Sequence, residues 1–111
     1  MIDHKSCVEL GLLPPKTHEK EVSYLLRIMK NGNIFNTRMA RYINIGNLHS
    51  ILPTLKKRGY KFTTEHKTVK CPRFNITPPY AVDVVYMTPE QIALNKKIEL
   101  AKTKELELAN L

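Results

Sequence analysis

Carboxylates are almost missing from the middle of this 111-residue chain. Between Arg27 and Arg73 there is a single one, Glu65, against eleven lysines and arginines, so that stretch carries +10. The remainder, with seven basic and nine acidic residues, sums to −2, and the formal total of +8 comes wholly from the centre. This imbalance excludes a uniformly alkaline chain. It implies a located electrostatic footprint, such as a face for a polyanion.

Other absences narrow the class further. No apolar run approaches the roughly 18 residues needed to span a bilayer. The opening Met1-Ile2-Asp3-His4-Lys5 has no apolar stretch of a secretory leader, so an intracellular location off the membrane is expected. The two cysteines, Cys7 and Cys71, have no CxxC spacing, and His4, His18, His49 and His66 are scattered without an i, i+4 pair. Neither a disulfide nor a metal centre is expected, and both thiols read as small, semi-buried side chains. There is no Gly-rich phosphate loop, no GxSxG and no pair of carboxylates in an apolar context. The chain therefore reads as a non-enzyme without a cofactor. Glu65, isolated among cations, is expected to pair with a neighbouring lysine. No internal repeat or low-complexity tract is present.

What remains is an ordinary globular composition, 42% apolar and 25% charged, sized for one domain with a small core. Residues 1–16 close on Leu12-Leu13-Pro14-Pro15 and read as an arm, with Val8, Leu10, Leu12 and Leu13 available to the core. Thr17 can cap a first helix to Lys30, with Glu19 in its first turn and Val22, Leu25, Leu26 and Met29 on one face. Asn31-Gly32-Asn33 ends it. Ile34-Phe35 suits a minimal strand. Asn36 or Thr37 then caps a second helix to Ile43, with Met39, Ala40 and Ile43 inward and Arg38 and Arg41 outward. After Asn44-Ile45-Gly46, Asn47 caps a third helix ending at Gly59, with Leu48, Leu52 and Leu55 on its inner face. Tyr60–His66 and Tyr80–Met87 have strand patterns, separated by a polar, proline-bearing excursion. Thr88-Pro89-Glu90-Gln91 is a capping box with proline at the first helical position, opening a helix toward the C-terminus.

Helix, short strand, helix, turn, helix and hairpin is the order of a winged helix-turn-helix. Residues 20–87, with the corner Leu55-Lys56-Lys57-Arg58-Gly59-Tyr60-Lys61-Phe62, resemble the small winged helix-turn-helix regulators of phages and mobile elements. The predicted fold class is α+β, mainly helical. It comprises an arm (1–16), a winged helix-turn-helix domain (17–87) and an additional C-terminal helix (88–111).

The resemblance implies double-stranded DNA binding in the bacterial cytoplasm, at the nucleoid, with the third helix in the major groove. Its outward candidates are Asn47, His49, Ser50, Thr54 and Lys57, of which Asn47 is already engaged if it caps. Lys56, Lys57 and Arg58 complement the carbonyl end of the helix dipole and face phosphates. Lys67, Lys70 and Arg73 supply a basic wing, and Arg38 and Arg41 suit backbone contacts. Two features depart from the pattern. Pro53 either kinks the third helix or splits it, with 47–51 one turn and a new helix starting at Pro53. The excursion Cys71–Pro79 carries three prolines and apolar Phe74 and Ile76, which either fold back onto the core or meet a partner. In the last helix Leu94, Ile98, Ala101 and Leu108 form a coiled-coil seam interrupted by Glu105, so a homodimer is one expectation and an exposed tail the other. Competing functions are an excisionase-like factor that bends DNA and a winged-helix module gripping a host or phage protein. RNA fits less well, since no aromatic platform motif is present.

Overall fold

The computed structural model describes the backbone of residues 1–109 and the side chains of residues 1–104. Among the described residues, five helices accompany a small three-stranded antiparallel sheet, an α+β arrangement compatible with a winged helix.

The first sixteen residues are more than an arm. They contain α1 (His4–Glu9), fastened by a bond from the Asp3 N–H to the Ile43 carbonyl at 2.8 Å. Ile2, Cys7 and Leu12 enter the core, whereas Val8, one position and about 100° further round the helix, is 57% exposed. The Leu13 carbonyl accepts from the Tyr24 hydroxyl at 2.6 Å, and the Pro14 carbonyl accepts from Arg27 at 2.8 Å.

Helix α2 (Glu21–Lys30) begins three residues later than the Thr17 cap implies. Thr17 and His18 form a turn, with His18 at φ +59°, and Glu19 is committed to Arg27 instead of to a helix terminus. The buried face is Tyr24, Leu25, Ile28 and Met29, rotated from the expected stripe, with Val22 and Leu26 half-buried at its margin. Gly32, at φ +88°, donates to the Met29 carbonyl while Asn33 donates to that of Ile28, which ends the helix in a Schellman motif.

Strand β1 (Phe35–Asn36) buries Phe35 and leaves Ile34 exposed. The Asn36 side chain accepts from the Met39 N–H at 2.9 Å and so caps α3 (Thr37–Tyr42). Asn44, at φ +70°, closes α3 with the same motif and turns the chain into α4 (Leu48–Lys57). Asn47 caps α4, its Oδ1 accepting from the Ser50 N–H at 3.2 Å. Helix α4 runs unbroken through Pro53, and Leu48, Ile51, Leu52 and Leu55 are all buried. The leucine stripe holds the helix together across a residue that cannot donate to the His49 carbonyl.

At Gly59, φ +92° allows the Gly59 and Tyr60 N–H groups to bond back to Lys56 and Leu55. Strands β2 (Thr63–Lys67) and β3 (Val82–Tyr86) are shorter than their patterns suggest. Strand β3 lies in the middle, in the order β1-β3-β2, with Phe35 opposite Val85 and Thr63 opposite Tyr86. Tyr60 and Phe62 precede β2 and pack against the core outside the ladder.

Helix α5 (Pro89–Ala109) opens with both capping-box bonds, Thr88 N–H to Gln91 at 3.0 Å and Gln91 N–H to Thr88 at 3.2 Å. Fully buried Asn95 pins it to the corner before β2, accepting from the Lys61 N–H at 2.7 Å and donating to the Lys61 carbonyl at 2.8 Å. Further along, Glu99 pairs with Lys30 at 2.7 Å, and Lys102 donates to the Arg58 carbonyl at 2.8 Å.

Candidate nucleic-acid interface

Among the described residues, three of the eleven central cations have carboxylate partners. Arg27 meets Glu19 through two bonds at 2.7 and 3.0 Å, Lys30 meets Glu99, and Lys67 meets Glu65 at 3.0 Å. These three are fastened within the protein. Arg38, Arg41, Lys56, Lys57, Arg58, Lys61, Lys70 and Arg73 have no ion pair among the described residues. Of these eight, all but Arg38 are exposed. The pairing also sets proton affinities. Arg27 holds the Glu19 carboxyl below its ordinary range, and Lys67, helped by the Tyr86 hydroxyl, does the same to Glu65.

Helix α4 presents its expected face. Ser50, Pro53 and Lys57 are exposed opposite the buried leucines, with half-buried Thr54 on one flank and His49 and Lys56 on the other. The Ser50 hydroxyl donates to the Asn47 carbonyl at 3.1 Å, and the Thr54 hydroxyl donates to that of Ser50 at 3.4 Å. Both donors are therefore spent inside the helix, and these hydroxyls are left as acceptors for an incoming N–H.

His49 is 89% exposed in its side chain, yet its Nδ1 lies 3.4 Å from Asp83, whose other oxygen lies 3.3 Å from Nδ1 of His66. A carboxylate from the central strand thus sits between two imidazoles and, with His49, lines a 610 Å³ groove whose other walls include Leu52, Pro53 and Phe62. Asp83 and His66 were not legible as partners, since one lies in a valine-rich strand and the other in a polar one. Asn95 gave no signal at all. Its role depends on a backbone 34 residues away.

The excursion does not reach out as a free wing. Cys71 and Ile76 form an antiparallel bridge, with the Cys71 N–H on the Ile76 carbonyl at 2.7 Å, around a turn in which Asn75 adopts φ +58°. This turn lies against α3, where Arg73 joins Arg38 and Arg41 around a second cleft that no α4 residue lines. Phe74 and Ile76 do not fold back onto the core. They are 69% and 60% exposed, since a turn this tight has no length to return its side chains inward. Burial raises the pKa of the Cys7 thiol, whereas the Phe74 and Arg73 N–H groups and the nearby guanidinium charges lower that of Cys71.

In α5 the seam positions Leu94 and Ala101 are exposed, Ile98 is half-buried, and Leu108 lies outside the described side chains. No helix among the described residues is long and apolar enough to cross a membrane, and none of their His, Cys, Asp or Glu side chains group in threes able to hold a metal ion.

No family model, curated protein or solved structure matches this chain.

Proposed function

We propose that this protein binds double-stranded DNA sequence-specifically and acts as a transcriptional regulator of a phage or mobile element. In this reading α2, α3 and α4 are the three helices of a winged helix-turn-helix, α4 enters the major groove, and β2–β3 is the hairpin. The observation that carries it is the outer face of α4. There, two short hydroxyl side chains available as acceptors, a groove-edge histidine and a basic end at Lys56, Lys57 and Arg58 occupy one surface. Acceptors of this size suit the amino groups of adenine and cytosine in the major groove, and the cations suit phosphates. His49 keeps Nε2 for a base edge, because Nδ1 is taken by Asp83.

Selection of bound duplexes from a random pool tests the proposal. A shared motif should emerge. Ser50→Ala should relax preference at one position of it, whereas Lys57→Ala should weaken all sequences alike. Recovery of an unenriched pool would leave at most a non-specific binder.

One observation favours a second reading, a module that grips another protein. Phe74, Ile76 and Tyr80 are large, apolar and exposed along one excursion. Protein capture that survives high salt and is lost in Phe74→Ser would favour this reading, while capture that requires DNA would not. A homodimer through Leu94, Ile98, Ala101 and Leu108 is a further proposal, and sedimentation across a concentration series addresses it directly.

A further inference from the structure

We propose that the cleft between α3 and the excursion, lined by Arg38, Arg41 and Arg73, is a binding site for a phosphoryl oxyanion. Three guanidinium side chains from two segments share 260 Å³ there, and among the described residues no carboxylate lines the space. The protein provides counterions for Arg27, Lys30 and Lys67 but none, among the described residues, for these three. Like charges brought together without a counterion repel, so an arrangement of this kind is suited to an anion from outside.

Two further observations point the same way. The Nε of Arg38 is buried and has no hydrogen-bond acceptor among the described residues, a state that is rare for a polar atom inside a folded protein. The Cys71 thiol, which lines the same cleft, is held below its ordinary range by the neighbouring Phe74 and Arg73 N–H groups and by the charges of Arg38 and Arg73. Guanidinium forks converging from two segments form the kind of surface that phosphate oxygens select. Glu9, which does not line the space, accepts from the hydroxyl of the lining residue Tyr42 at 2.5 Å. The volume lies below the roughly 300–1,000 Å³ of drug-sized ligand sites, which fits a phosphate group better than a whole nucleotide.

The phosphate has two possible sources, a DNA backbone or a free or small-molecule phosphate. Only the first rests on the proposed function. Titration of the full chain with inorganic phosphate, pyrophosphate and a short duplex, followed at the arginine Nε–Hε resonances, tests the site. Phosphate or pyrophosphate should move the Arg38 signal saturably, and chloride at equal ionic strength should not. Arg73→Gln, an exposed change, should weaken the response about tenfold or more, as loss of a charge-assisted bond does, while Lys96→Gln should leave it intact. A duplex that moves the same signal and displaces phosphate identifies a backbone phosphate as the ligand. A duplex that binds without touching it, while phosphate still does, identifies a small phosphorylated ligand. A phosphate response with no duplex binding at all would remove the proposed function and leave the site standing. Silence of the Arg38 signal toward all three probes overturns the site, whether or not the duplex binds elsewhere.

Discussion

The two thiols illustrate how differently one residue type behaves in two places. Cys7 has no exposed surface and its proton is held more tightly by burial, whereas Cys71 is partly exposed beside two main-chain donors and two arginines. A thiolate is the reactive form, so alkylation near neutral pH should label Cys71 at once and Cys7 only on unfolding. Peptide mapping after a short pulse of iodoacetamide reads the ratio, and equal labelling would show that the two environments do not differ as described. Asn95 is the other side chain with a distinct role. Replacing it by alanine strips both polar groups of Lys61 of their partner, and Asn95→Ala should cost about 3 kcal/mol in urea denaturation. A loss under about 1 kcal/mol would mean that water replaces the amide, as it does at exposed sites.

Helix α4 raises a different question, because its sixth residue is a proline. Interior proline costs a helix about 3 kcal/mol, offset by up to about 1 kcal/mol through its restriction of the unfolded chain. Pro53→Ala should therefore stabilise the fold by roughly 2 kcal/mol, visible as a higher urea midpoint. A lower midpoint would show that the proline's packing along the groove outweighs the missing bond to His49. The segment also shows what periodicity carries. Its inner stripe of Leu48, Leu52 and Leu55 was readable from spacing alone and is buried as read, with Ile51 added. The expected α2 stripe was less accurate, because Tyr24 and Ile28 compete with Val22 and Leu26 for the inward side. Helix α4 packs against α2, and the Tyr24 hydroxyl reaches the Leu13 carbonyl, which sets the inward side.

Across the molecule, charge links stability to association. Glu19, whose folded pKa is depressed by Arg27, adds stability above the ordinary glutamate value and loses it as pH falls through the lower folded value. Its side chain is only 8% exposed, so a charge-assisted contribution of about 2 kcal/mol is expected. Glu19→Gln should be less stable at neutral pH and should converge with the parent in acid, as chemical denaturation at the two pH values will show. A constant gap would mean that the pair acts through packing. The unpaired cations govern the other behaviour. If about six of them meet phosphates, the logarithm of the DNA affinity should fall against that of salt with a slope near −5. A slope near zero would point to the protein-gripping reading.

Local punctuation was legible in the residues because it works within a few positions. Asn36, Asn47, Gly32, Gly59 and the Thr88–Gln91 box each act on backbone groups two to five places away, and each stands where it was expected. The concentration of positive charge between Arg27 and Arg73 was equally plain. Which of those charges remain free was not. Glu99 reaches Lys30 from 69 residues away, Asp83 reaches both histidines from another strand, and the excursion returns Arg73 to Arg38 and Arg41. Contacts of that kind exist only once the chain has closed on itself, because side-chain type and spacing say nothing of what a distant segment will bring alongside.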